Sequence, residues 1–179
     1  MVTIIFEAHA TTVNNEAGRA SGHSDSPLSL LGEQQAKEMG KRYRGENFDA
    51  VFCSDLERSY RTAEIAFAGR DIRIVKDGRL RECDYGQFSG SPSEVIEKER
   101  PKHIHEPFPG GESYEQVVER MRRFLGGLLA GYNGKQVLVI GHRATQYALM
   151  YLIDKTPLAE AVTASWQWQP GWVYCLKRI

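Results

Sequence analysis

Cysteine is scarce in this chain of 179 residues, which carries only Cys53, Cys83 and Cys175. An odd number of cysteines cannot pair completely, and Cys53 and Cys175 lie in apolar runs that are typical of strands. The cysteine usage therefore argues against a disulfide-stapled secreted domain. It favours a chain that is kept reduced in the cytoplasm.

The sequence also lacks an excess of charge of either sign, because 23 basic residues balance 23 acidic ones. Such a chain has no general electrostatic attraction for nucleic acid or for an anionic membrane surface, so we expect neither partner. Any anion that it binds must be held by the local placement of positive side chains. The sequence does not indicate an oligomeric state.

Long apolar runs are missing as well. The first residues contain no basic region, and the apolar stretch there is too short for a signal peptide or a membrane span. Hydrophobic residues nevertheless make up 41% of the chain, which is enough to bury a full core. At this length we expect one domain over residues 1–179.

Short apolar runs alternate with helical patterns along most of the chain. Strands are predicted at residues 2–6, 48–53, 71–75, 136–140 and 172–176, and helices at about 30–43, 93–98 and 144–153. Ser29 can cap the first of these helices. Residues 54–57 and 113–116 have the spacing of capping boxes, so further helices should begin there. This alternation predicts an α/β fold, in which a doubly wound, largely parallel sheet has helices on both faces and one antiparallel edge strand is possible.

Two of the five histidines, His9 and His142, each lie just after an apolar strand run. Because the carboxyl ends of parallel strands open on one edge of a sheet, we expect both imidazoles in one cleft. Arg58 lies near a third strand–helix junction, where a helix N-terminus and a guanidinium together suit a phosphate. Glu82 lies in the long irregular segment 79–111, which is typical of a lid or a binding loop.

Six short motifs resemble, in the same order, those of the histidine phosphatase superfamily, which includes the cofactor-dependent phosphoglycerate mutases. They include Pro-Leu-Ser-Leu-Leu-Gly at 27–32 and Ser-Asp-Leu-Glu-Arg-Ser-Tyr-Arg-Thr-Ala at 54–63. The others are Ala-His-Ala-Thr-Thr at 8–12 with Asn15 following, Leu-Arg-Glu at 80–82 with Tyr-Gly at 85–86, Pro-Gly-Gly-Glu-Ser at 109–113, and Val-Ile-Gly-His at 139–142. The resemblance covers most of the chain and implies a phosphoglycerate mutase-like fold.

The resemblance also implies a role for each matching residue. His9 matches the nucleophile, whose neutral imidazole attacks phosphorus to form a phosphohistidine. Glu82 matches the general acid, which protonates the leaving group and then acts as base toward water. Asn15, Arg58 and His142 match groups that hold the phosphoryl oxygens. This scheme requires neither a metal ion nor a cofactor.

Two positions beside the nucleophile depart from the family pattern. The arginine that precedes the nucleophile is Ala8 here, and the glycine that follows it is Ala10. Losing one preorganised cationic donor costs on the order of 10²-fold or more in rate. Arg143 lies at a position that is usually small in the family. We hypothesise that it replaces the missing arginine, which requires its guanidinium within about 8 Å of His9, the reach of a shared phosphate.

Glu7 and three tryptophans have no counterpart in the motifs. A carboxylate so near an anion site should point away from the cleft or brace an arginine. We expect Trp166, Trp168 and Trp172 in the core or at a subunit contact, and a role as the wall of the pocket is the alternative.

The leading interpretation is a metal-independent phosphomonoester hydrolase, of reduced activity, that acts on a small phosphorylated molecule or binds inorganic phosphate. The short chain favours hydrolysis over a phosphoglycerate-type mutase, whose extra segments would exclude water. Ala8 keeps open a non-catalytic phosphate-binding module. A metal-dependent hydrolase built on His9, His142 and Glu82 is a further alternative. The sequence does not identify the physiological substrate.

Overall fold

A computed structural model describes residues 1–178 and contains a mixed sheet of five strands. The strands are β1 (Val2–Ala8), β2 (Ala50–Cys53), β3 (Ile74–Lys76), β4 (Gln136–Gly141) and β5 (Trp172–Leu176). Their order across the sheet is β3-β2-β4-β1-β5. The first four strands are parallel, and β5 pairs with β1 in the antiparallel direction at one edge. The predicted α/β fold and its antiparallel edge strand are confirmed.

Seven α-helices surround this sheet among residues 1–178. They are α1 (Val13–Glu16), α2 (Leu30–Arg42), α3 (Glu57–Ala66), α4 (Ser93–Glu99), α5 (Tyr114–Gly131), α6 (Arg143–Leu149) and α7 (Leu158–Thr163). A π-helical turn, Met150–Asp154, continues α6 where the sequence predicts one longer helix. No helix in this part of the chain has the length and apolar character needed to cross a bilayer.

The sheet has a hydrophobic core on each face. Alternate side chains of β4 point to opposite faces, so Val137 and Val139 pack with α5 while Leu138 and Ile140 pack with α2 and α3. This explains why β4 reads as a continuous apolar run rather than as an alternating one. Helix α5 carries apolar residues at three- and four-residue spacing from Val117 to Leu128, and this apolar stripe lies in the larger core.

Two of the predicted helix caps are confirmed and one is wrong, although a helix begins at Glu57 as expected. Ser29 accepts a hydrogen bond from the backbone of α2, and Ser113 forms a capping box with Gln116. The predicted capping box at 54–57 does not form. The N-cap of α3 is Leu56, without a side-chain hydrogen bond, and Asp25 from a distant loop accepts from the backbone N–H of Glu57 at 3.0 Å. The side chain of Ser54 instead contacts a buried imidazole, as described below.

The loop after β1 is held by a close approach of α2. A Cβ on Gly32 would lie 1.9 Å from the carbonyl oxygen of Thr11, so no larger residue fits there. Ser29 N donates to the same carbonyl, and Gln35 accepts from the N–H of Thr11. These contacts fix the backbone that leads away from His9.

Candidate active site

His9 and His142 meet at the carboxyl ends of two neighbouring strands. Their ring centroids lie 5.0 Å apart, because β1 and β4 pair in parallel with Ala8 opposite Gly141. Both imidazoles line a cavity of about 780 Å³. All the site residues nominated from the sequence line the same cavity, namely His9, Asn15, Arg58, Glu82, His142 and Arg143.

The environment of His9 keeps its ring neutral. The ring Nδ1 lies 2.8 Å from the carbonyl oxygen of Ala10, which can only accept, so Nδ1 carries the proton and Nε2 keeps a free lone pair. Burial lowers the pKa of His9 to about 3, and the positive charge of Arg58 adds to this effect. A neutral imidazole with an unprotonated nitrogen is the form that can attack phosphorus.

The second imidazole is fixed by Ser54. The Ser54 hydroxyl lies 2.7 Å from Nε2 of His142, while Nδ1 is buried without a hydrogen-bond partner in the described chain. Burial, followed by the charge of Arg58, holds the pKa of His142 well below its ordinary value. If the hydroxyl donates to Nε2, the ring proton is on Nδ1. An unpaired buried N–H of this kind gains most from an incoming acceptor such as a phosphoryl oxygen.

Arg58 and Asn15 supply polar groups from two separate elements. The Arg58 side chain on α3 is buried and donates to the carbonyl oxygens of Gly22, at 2.7 Å, and Ser24, at 3.1 Å. Asn15 Oδ1 accepts from the backbone N–H of Thr12 at 3.0 Å, which completes the capping box of α1. Both side chains are therefore held in place before any ligand arrives, which is the arrangement that stabilises charge at least cost.

Glu82 is held by its main chain and by one carboxyl oxygen. Oε1 accepts from the backbone N–H groups of Cys83, at 2.8 Å, and Ala144, at 3.2 Å. The carbonyl oxygen of Glu82 accepts from Nη2 of Arg120 and from Nε2 of His23, each at 2.8 Å. The residue as a whole is 8% exposed, and it lines the cavity.

Arg120 is a residue that the sequence reasoning missed. Besides Glu82, it donates to the carbonyls of Arg79 and Arg81 and pairs with the Glu112 carboxylate at 3.0 Å. It therefore ties the start of the irregular segment to α5. The signal was present, because Arg120 interrupts the apolar stripe of α5 on its buried face beside Met121.

The guanidinium groups of Arg143 and Arg61 each pair with a glutamate. Nη1 of Arg143 lies 3.1 Å from Oε1 of Glu97, and its guanidinium carbon lies 5.0 Å from the centroid of the Trp166 ring. The replacement of the missing arginine by Arg143 stays a hypothesis. Arg61, one turn after Arg58 on α3, forms a surface ion pair with Glu64 at 2.6 Å.

Glu7 braces an arginine, as one of its two predicted alternatives requires. Its buried Oε1 accepts from Nη2 of Arg42 at 2.8 Å and from the Tyr43 hydroxyl at 2.6 Å. The tryptophans divide between the two roles considered for them. Trp172 packs against the core residue Phe6, whereas two others, Trp166 and Trp168, line the cavity.

No group of three or more His, Cys, Asp or Glu side chains within residues 1–178 is arranged to hold a metal ion. Among the residues that line the cavity are two neutral imidazoles, the buried guanidinium of Arg58, the amide of Asn15 and the carboxyl group of Glu82. Such a set can hold a tetrahedral oxyanion against a ring nitrogen and can move one proton.

The chain is similar to known phosphatases in both sequence and fold. Residues 4–176 match the model of the histidine phosphatase superfamily (branch 1). The chain is 32% identical over 150 residues to the uncharacterized phosphatase PhoE of Bacillus subtilis strain 168, covering 84% of this chain and 76% of that protein. It is 33% identical over 158 residues to phosphoserine phosphatase 1 of Hydrogenobacter thermophilus, covering 83% and 74%. Among solved structures, Bacillus stearothermophilus YhfR superposes with a TM-score of 0.83 at 29% identity, covering 94% of this chain and 87% of that one. The chain therefore belongs to the histidine phosphatase superfamily, branch 1.

Proposed function

We propose that this protein hydrolyses small phosphomonoesters without a metal ion, through a phosphohistidine at His9. The observation that carries the proposal is the neutral His9 ring, whose Nε2 is free of hydrogen bonds within the described chain and which lies against His142 and beside the charge of Arg58. The family acts on small phosphorylated substrates, and its members similar to this chain include proteins named as phosphatases.

The reaction has two steps that use these residues in turn. In the first, Nε2 of His9 attacks phosphorus, the bond from phosphorus to the ester oxygen breaks, and the Glu82 carboxyl group gives its proton to that oxygen. In the second, the Glu82 carboxylate takes a proton from water, whose oxygen attacks phosphorus as the bond to His9 breaks. Arg58, Asn15 and His142 hold the phosphoryl oxygens through both steps.

Metal independence has a direct test. We expect release of p-nitrophenol from p-nitrophenyl phosphate to continue unchanged in EDTA and to be inhibited by vanadate. Loss of activity in EDTA, with recovery on adding a divalent cation, would instead indicate a metal-dependent hydrolase.

A second candidate function follows from Ala8, which removes one cationic donor from the site. A module that binds phosphate without turning over any ester would bind vanadate or inorganic phosphate and release no product across a panel of phosphomonoesters. A mutase would show phosphate exchange that depends on a bisphosphate primer. Either outcome would replace the hydrolase proposal.

Arg143 is proposed to supply the charge that Ala8 lacks. We expect Arg143→Ala to lower kcat/KM for p-nitrophenyl phosphate by about 10- to 100-fold, since one cationic donor is lost. Ala8→Arg should restore most of this loss in the Arg143→Ala background and add little to the parent protein. Equal effects of Ala8→Arg in both backgrounds would mean that the two positions act independently.

We also propose that the chain acts as a single domain in the cytoplasm. Cys53 and Cys83 are free and buried, and Cys175 is free and exposed. Unpaired thiols of this kind suit a reducing compartment.

A further inference from the structure

The cavity extends beyond the phosphoryl site to a second wall. Arg42 on α2 and Trp168 from the segment before β5 line this wall. Because β5 and β4 pair with opposite edges of β1, the segment before β5 approaches the cavity from the side of β1 that faces away from the strand of His142. A cavity of about 780 Å³ is as large as those that enclose drug-sized ligands, so it holds more than a phosphoryl group.

Arg42 is fixed in this wall by a buried carboxylate. Its Nη2 pairs with Oε1 of Glu7, whose side chain is fully buried, and the Tyr43 hydroxyl holds the same oxygen. The guanidinium carbon lies 5.2 Å from the centroid of the Tyr43 ring and 6.0 Å from that of Trp168. One edge of the guanidinium is thus paired with a carboxylate while the group lies over aromatic rings, as arginines commonly do.

The charges of the wall do not favour a second anionic group. Glu7 neutralises Arg42 at 2.8 Å, and Glu38, which also lines the wall, adds a negative charge. A carboxylate or second phosphate would therefore gain little attraction there. A cationic group would gain as little from the Glu7–Arg42 pair, and the charge of Glu38 is screened because that side chain is exposed to water. The wall is suited to a neutral group.

The tryptophans supply a flat apolar surface for such a group. Trp168 is 54% exposed although it lies in the cavity wall. Trp166 is held more firmly, because its Nε1 donates to Oε1 of Gln146 at 2.7 Å and its ring lies 6.2 Å from that of Trp172. The exposed Trp168 indole gives an incoming planar ring a surface on which to stack.

We propose that this wall binds an aromatic ring in the leaving group, so that the preferred substrates are phosphomonoesters whose leaving group carries a planar ring that stacks on Trp168. The proposal rests on the proposed function, because it takes the phosphoryl group to lie at His9. It adds the substrate class to that site.

The test uses phosphonates, which bind like phosphate esters but are not hydrolysed. Phenylalkylphosphonates with one to three methylene groups are compared by calorimetry with cyclohexylalkylphosphonates of equal length, with methylphosphonate and with a carboxyalkylphosphonate. We expect the best phenyl compound to bind about threefold to tenfold more tightly than its cyclohexyl counterpart, which is the share of stacking beyond apolar burial.

Substitutions of Trp168 test whether the tighter binding of the phenyl compound comes from this wall. Trp168→Ala should abolish the preference for the phenyl ring and leave the Kd of methylphosphonate unchanged, whereas Trp168→Phe should retain most of it. Tyr151→Ala, which removes a partly exposed aromatic residue that does not line the cavity, is the matched control and should change neither value. Thermal unfolding of each variant checks that the fold is kept.

The outcomes separate this inference from the proposed function. Equal binding of phenyl and cyclohexyl compounds, a preference that survives in Trp168→Ala, or tightest binding of the carboxyalkyl compound would overturn the inference alone. Ring-dependent binding without any affinity for methylphosphonate or inorganic phosphate would overturn the phosphoryl site and leave the wall. Absence of binding by every compound would overturn both.

Discussion

His9→Asn is expected to abolish phosphatase activity, with kcat falling by about 10⁴-fold or more, the range seen when a covalent nucleophile is removed. The asparagine amide is similar in size to imidazole and leaves the neutral charge of the position unchanged, but it cannot form a bond to phosphorus. Because the ring of His9 is neutral in the parent protein, the substitution changes nucleophilicity without adding or removing a charge. The measurement is steady-state hydrolysis of p-nitrophenyl phosphate together with trapping of the phosphoenzyme.

Trapping distinguishes the two imidazoles that meet in the cavity. After rapid denaturation in alkali, where phosphohistidine is stable, phosphate from a labelled substrate should be found on His9 in the parent protein. His142→Asn should lower the rate by about 100-fold, as expected for a group that holds phosphoryl oxygens, and should still yield label on His9. Label on His142, or label retained in His9→Asn, would reverse the assignment of the nucleophile.

Glu82→Gln is expected to slow hydrolysis in a way that depends on the leaving group. An alkyl ester such as glycerol phosphate needs a proton on its departing oxygen, so the rate of forming the phosphoenzyme should fall by about 10²- to 10⁴-fold. p-Nitrophenolate leaves without a proton, so the same step should change only a few-fold with p-nitrophenyl phosphate. Single-turnover measurements of the two substrates give this comparison directly.

The glutamine variant also affects the second step. Water then lacks its base, and we expect the phosphoenzyme to accumulate with p-nitrophenyl phosphate as a burst of product. Glutamine keeps an oxygen that can accept from Cys83 and Ala144, so the loop should stay in place. Glu94→Gln, on the exposed surface of α4, is the matched control and should leave both steps unchanged. An equal loss with both substrates would argue that Glu82 does not transfer the proton.

Local pattern was sufficient for the elements that carry the site. Each of the strands β1 and β4 is followed within one or two residues by its histidine. The sequence could therefore place His9 and His142 at one sheet edge. The same holds for Ser113, which caps a helix whose first residues are its immediate neighbours. Local pattern fails for Ser54, because a capping motif and a buried imidazole compete for the same hydroxyl. Only the folded chain brings that imidazole near Ser54.

The sequence by itself determined the fold class, the family and six of the residues that line the cavity, because strand periodicity and motif order are properties of short segments. The tertiary structure alone decided which partner each polar side chain takes. Arg120 clamps the carbonyl of Glu82 and Glu7 holds Arg42, in each case across a large distance along the chain. Such pairings depend on burial, since a polar group removed from water must bond to whatever partner the packing brings to it.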